Sequence, residues 1–333
     1  MKKSNFGTVD QTEQQKSKLI HKLFRTREFS LLIVITLVFI VLAILKTDSF
    51  LKWKNFEAIS NGMVFDLAIV SGMTIVLILW GIDLSVGSVL ALTSVLTAMM
   101  LRGGVPIFLS VMLGLGAAAA CGAVNGFLIS RYRIAPFIVT LGMYSIARGL
   151  AVVLTSGYYL ASLPKAFVTV GRSKLLGVPL SIIIIVLLLV VLGILLKHNR
   201  FFSQMYFVGN NPKAAELSGH DVKLVLFFGY VISSLMAGVA GILMTSRLAM
   251  GFSGFGQLAE LRAIAAAVIG GASFSGGEGS IIGAALGVIL LALINNGFVL
   301  LNGPPDWQQA VSGIILIVAV GVDAYRRRKE RRE

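Results

Sequence analysis

The sequence predicts an all-α integral membrane protein of about ten transmembrane helices. Of its 333 residues, 56% are hydrophobic and only 13% are charged, whereas a soluble domain carries about 25% charged residues. Apolar runs of membrane-spanning length follow one another, separated by short polar punctuation. Glycine is abundant, at 36 residues, as suits helices that approach closely in lipid, where small residues let backbones meet.

The elements run as follows. Residues 1–28 form a polar, basic cytoplasmic arm with seven Lys and Arg residues. The first apolar run, 29–46, carries no charge from Phe29 to Leu45. No small-residue cleavage site follows it, so it reads as a retained anchor rather than a leader. Further runs lie near 62–81, 84–101, 105–130, 135–156, 178–196, 224–246, 259–275, 279–301 and 307–324, each near the ~20 residues a span requires. A basic tail, 325–333, ends the transmembrane region 29–324. The runs on either side of Asp83 are joined by almost nothing, and so are those around Gly276 and Gly277. Hydropathy leaves helical hairpins and broken helices both open there.

The net charge of +14 invites a nucleic-acid reading, but its distribution argues for membrane topology. With an even number of spans, nineteen Lys and Arg residues fall on the side of the termini and eight on the other, with Arg148 and Arg262 inside spans. The positive-inside bias therefore places both termini in the cytoplasm. It makes 198–222 the largest internal cytoplasmic loop and 157–177 an external one. The single cysteine, Cys121, lies inside an apolar run, where a structural role is expected. One internal similarity stands out: Asn125-Gly126-Phe127-Leu128 resembles Asn296-Gly297-Phe298-Val299, each closing a Gly/Ala-rich run. It fits either a repeated half, as transporters use, or chance.

No hydrolase or metal constellation is visible. The three histidines, His21, His198 and His220, have no partner at ligand spacing. No G-x-x-x-x-G-K-[ST] phosphate loop occurs, so if ATP drives this protein another chain must bind it.

Three segments can carry function. The first is Gly81-Ile82-Asp83-Leu84-Ser85-Val86-Gly87-Ser88, where a carboxylate beside a span is a functional candidate by default. A capped interhelical turn is its structural reading. The second is Val208 to Val222. Asn210 or Asn211 can cap a helix there, Pro212 suits its first turn and Gly219 its end. A short surface helix over about 212–218 follows, either a docking element or a solvated connector. The third is Ala272 to Ser280, with Glu278 among glycines, which fits a tight turn or broken helix. Asp66, Asn125, Arg148, Glu260, Arg262, Asn295 and Asn296 lie within spans; each can line a pathway or bond helix to helix. Glu260 and Arg262 are two apart, so their pairing is not assumed.

At these motifs the chain resembles the permease family of bacterial ribose-type ABC importers. The matching stretches are G-I-D-L-S-V-G-S at 81–88, V-G-N-N-P-K-A-A-E-L-S-G at 208–219 and A-A-A-V-I-G-G-A-S-F-S-G-G-E-G-S at 265–280. P-F-I-V-T-L-G-M at 136–143 and A-R-G at 147–149 also match. The resemblance covers about 30–325 with order and spacing kept. It implies the type II ABC importer-like fold in a bacterial inner membrane. It also implies a second permease copy or a paralogue, an ATP-binding-cassette ATPase subunit holding ATP and Mg, and an external solute-binding protein, with no cofactor on this chain. It implies that Gly209, Asn210, Ala214, Ala215, Glu216 and Gly219 couple to the ATPase. Asp83, Ser85, Asn125, Asn295 and Asn296 are the candidates for a sugar pathway. The competing class is an ion-driven secondary transporter with Asp66 at mid-membrane; a membrane enzyme is disfavoured by the missing catalytic groups.

Overall fold

A computed structural model describes residues 27–304 and, beyond them, residues 307, 310, 313, 314, 317, 318 and 321, which are helical. Nearly all of the basic arm, the basic tail and most of the predicted span 307–324 lie outside the described residues. Helices follow in the order α1 (Arg27–Leu45), α2 (Thr47–Phe50), α3 (Trp53–Ile78), α4 (Val86–Arg102), α5 (Ile107–Tyr132), α6 (Pro136–Thr155) and α7 (Lys165–Arg172). A two-stranded hairpin, β1 (Lys174–Leu175) and β2 (Val178–Pro179), comes next. The chain continues through α8 (Leu180–His198), α9 (Arg200–Asn210), α10 (Pro212–Leu217), α11 (Val222–Leu248), α12 (Ala259–Ile269) and α13 (Ile281–Leu300).

Among the described residues, seven helices are long and apolar enough to cross a bilayer: α1, α3, α5, α6, α8, α11 and α13. The expectation of about ten spans thus needs a correction of detail. The run 84–101 folds as the 17-residue α4, at the lower limit of span length. The run 259–275 folds only as far as Ile269, giving the 11-residue α12. At 1.5 Å per residue α12 is about 16 Å long, half of what a bilayer demands. Its helix stops because Gly270 is followed by Gly271 at φ +97°. Hydropathy counted the apolar residues beyond it without seeing the break. Both tight joins are therefore irregular segments, 79–85 and 270–280, folded into the protein.

α3 and α11 form the centre, and the apolar outer faces of α1, α5, α6 and α8 surround it. The central pair meets where Gly72 lies against α11; a methyl group added there would come within 2.8 Å of Ser233 Cα. α5 packs on α11 in the same way, with Gly126 against Phe227.

The fold also keeps the two sets of cations apart. α11 spans 27 residues, with Lys223 at one end and Arg247 at the other, about 40 Å at 1.5 Å per residue. Around its Arg247 end, Lys174 Nζ pairs with Glu57 Oε1 at 2.7 Å. There Arg172 Nε donates to Arg247 O at 2.9 Å, and Arg247 reaches Asn61 O. Around its Lys223 end gather Arg133, Lys213 and the loop between α10 and α11. α3 starts nine residues earlier than the apolar run predicted, because the polar first turns containing Asn55, Glu57 and Asn61 have partners at that end.

Candidate functional site

The Asp83 turn is the first part of the site. α3 ends at Ile78, Trp80 takes a positive φ of 62°, and the chain doubles inward to restart as α4 with Ser85 at its N-cap. Asp83 is fully buried. One carboxylate oxygen accepts from Ser85 N at 3.0 Å and Ser85 Oγ at 2.6 Å. The other accepts from Ser233 Oγ on α11 at 2.8 Å. Asn125 on α5 donates from Nδ2 to Ser85 Oγ at 3.0 Å. A buried carboxylate is tolerable only with such partners, and the N-terminal end of α4 adds a favourable dipole. The network sits deep, since Ser233 is eleven residues into α11, about 16 Å from its start at 1.5 Å per residue.

The second and third motifs meet just beneath this turn. Gly277 N donates to Ile78 O, the last carbonyl of α3, at 2.8 Å. Gly209, near the end of α9, lies on the same carbonyl, leaving no space for a side chain. Gly276 and Gly277, at φ +78° and +73°, fold the 272–280 segment against Gly209 and Asn210. Tyr206 Oη donates to Gly279 O at 3.0 Å. Burial raises the pKa of Tyr206 above the ordinary phenol value. Segments far apart in sequence thus form one backbone-to-backbone junction.

From that junction projects α10. Asn211 Oδ1 accepts from Ala214 N at 3.0 Å as its cap, Pro212 occupies the first turn, and Gly219 at φ +85° ends it. Ala215 points inward and is buried, as is Gly209. Asn210, Ala214, Glu216 and Gly219 are exposed. Leu217, which sequence reasoning passed over, is 84% exposed, and an apolar side chain so bare at a polar surface is the available signal. His220 stacks on Phe207 with ring centroids 5.9 Å apart.

The structure joins Asp83, Ser85 and Asn125 but places Asn295 and Asn296 elsewhere. Asn296 and Asn55 exchange amide hydrogen bonds of 2.7 and 3.1 Å, tying α13 to the start of α3, with Asn295 half-buried beside them. Asn125 reaches Ser85 from within α5, whereas Asn296 reaches Asn55 near the end of α13. Asp66 pairs with Arg262 at 3.6 Å. Glu260 is buried against Gly87. Arg148 clamps the 249–258 segment through Ser253 O and, at 2.7 Å, Phe255 O. Among the described residues no cluster of three His, Cys, Asp or Glu is placed to hold a metal.

Comparison with known proteins decides the class. A family described as the permease component of a branched-chain amino acid transport system matches residues 58–320. The chain belongs to this permease family. Relatives similar to it over most of its length are named as permeases of sugar transport. The ribose import permease of Bacillus subtilis is 38% identical over 288 residues, 86% of this chain and 89% of that protein. The D-allose transport system permease of Escherichia coli is 31% identical over 319 residues, 96% and 98% of the two chains. The L-arabinose ABC transporter permease of Azospirillum brasilense is 33% identical over 300 residues, 89% and 88%. No solved structure matches. All three motifs lie inside the matched region, so the junction described above belongs to a permease, a multi-pass membrane protein whose apolar helices carry it across the bilayer.

Proposed function

We propose that this permease is the membrane subunit of an ATP-driven importer for a monosaccharide or sugar-like solute. In this reading an external solute-binding protein delivers the solute, a partner ATPase supplies the drive, and a second permease copy or paralogue completes the pathway. What supports the solute class is the near full-length similarity to ribose, allose and arabinose permeases. What supports the drive is the geometry of α10. It is a capped, exposed helix whose root is fixed through Gly209 and Gly277 to the end of α3 and the buried Asp83 turn. A push on α10 therefore moves the turn without passing through a flexible side chain.

The coupling surface is Asn210, Ala214, Glu216 and Gly219 together with Leu217, with Gly209 and Ala215 supporting it from behind. Asp83, Ser85 and Asn125 act as the buried hinge of the pathway, while Asn296 holds α13 to the start of α3. The face bearing Arg133, Lys213 and Lys223 is cytoplasmic, as are both termini, by the excess of cations on that side. The test is reconstitution of the permease with its ATPase and binding protein in proteoliposomes. Ribose or allose uptake that requires ATP is expected. Uptake driven by an ion gradient with no ATPase present overturns the proposal and turns attention to Asp66.

A further inference from the structure

A cavity of about 910 Å³ opens behind α10, between the ends of α3 and α5, the α5–α6 link and the start of α11. Its inner lining is apolar, with Leu79, Ile129 and Leu226, while Arg133, Lys213 and Lys223 carry three positive charges on its lining. Among the charged residues named there only Glu216 opposes them. Tyr230 also lines it; this side chain is fully buried and its hydroxyl has no hydrogen-bond partner. Trp80 on its lining and Tyr132, next in sequence to Arg133, are exposed to 61% and 63%, and Trp and Tyr favour the membrane–water boundary. The two helices joined beside it, α5 and α6, carry the exposed Phe127, Phe137 and Ile138.

We infer that this cavity binds one anionic phospholipid from the leaflet on the cation-rich side. An acyl chain lies along the apolar lining, and the phosphate lies against Arg133, Lys213 and Lys223. The chemistry is that of basic pockets between membrane helices, which select anionic headgroups. A zwitterionic lipid offers the same chain but cancels the charge attraction. A peptide segment would have to be both acidic and apolar, and the chain's own arm and tail are basic. Because Lys213 and Glu216 belong to α10, the lipid bridges the coupling helix to α5 and α11.

The experiment uses the full-length permease, purified, delipidated and titrated with phosphatidylglycerol or phosphatidylcholine of matched chains, with bound lipid counted by native mass spectrometry. Phosphatidylglycerol is expected to bind at least about tenfold tighter. The combined variant Arg133→Gln, Lys213→Gln, Lys223→Gln should lose that preference. Glu216→Gln, an exposed and conservative change, should strengthen it, which guards against a variant that merely fails to fold. Excess inorganic phosphate should not displace the lipid. Equal binding of the two lipids, no effect of Glu216→Gln, or displacement by inorganic phosphate alone overturns the inference. So does a cysteine at Ile134 that cross-links quantitatively to the ATPase in the assembled complex, since the groove is then filled by protein. None of these readings depends on transport.

Discussion

The amide of Gly277 donates a 2.8 Å hydrogen bond to the carbonyl of Ile78, and these residues are separated by most of the permease sequence. The bond closes the end of α3 onto the 270–280 segment. Gly209 rests on the same carbonyl from the side of α9.

Gly209→Val should break this junction. The added carbons overlap Ile78 O, and overfilling a packed site costs about 1–3 kcal/mol. Thermal unfolding of the purified permease should shift downward. Gly219→Ala is the contrast. No atom lies near the new methyl group, but the positive φ adds strain of about 1–2 kcal/mol, confined to the end of α10. Equal stability of wild type and Gly209→Val would refute the close packing.

Position 217 separates docking from folding. Leu217→Asp removes an exposed apolar contact, so protein level should stay normal while ATPase co-purification and uptake fall. Ala215→Trp should do the reverse and lower the amount of folded permease, because Ala215 is buried within the chain itself. If both variants fold and bind the ATPase normally, α10 is a solvated connector.

Asp83→Leu leaves the Ser85 and Ser233 hydroxyls without their acceptor, at about 1–3 kcal/mol for each buried group left unpaired. Asp83→Asn keeps the shape and one acceptor oxygen, so it should be markedly milder. Chemical denaturation of the two purified variants measures the difference, and a leucine variant as stable as wild type excludes the network as a structural tie.

The Asn55–Asn296 pair is testable by a double-mutant cycle. Each alanine substitution should cost about 1 kcal/mol, and the double variant should lose less than the sum, because the residues share their bonds. Strict additivity would show that the amide exchange contributes nothing.

Sidedness is open to cysteine labelling in a Cys121→Ser background. An impermeant reagent added outside intact cells should label position 165 and not position 213. The opposite pattern inverts the assigned orientation.

Much of the fold was legible in the apolar runs. The starts and ends of α5, α6 and α8 fall within two residues of the predicted spans, because each ends where polar or Gly/Pro punctuation begins. The helix at 212–217 was legible for a local reason, since Asn211, Pro212 and Gly219 act on their own neighbours. What hydropathy missed is tertiary. α12 stops at Ile269 although apolar residues continue. Ser233 was one serine in a long apolar helix until the fold set it beside Asp83. Asp66 and Arg262, 196 positions apart, pair only because α12 lies against α3. The inward turn of Ala215 was likewise invisible, since a six-residue helix has too few positions to reveal its buried side.

The shortness of α12 bears on how the protein is made. A helix of about 16 Å, flanked by irregular backbone at 249–258 and 270–280, cannot enter lipid alone, since its neighbouring peptide groups would lack partners in hydrocarbon. Those groups are sheltered only after α3, α4, α6, α9 and α13 stand around them. During synthesis this stretch therefore waits at the translocation machinery or the bilayer surface until α13 has emerged. This part of the transmembrane region is thus completed after a helix that follows it in sequence.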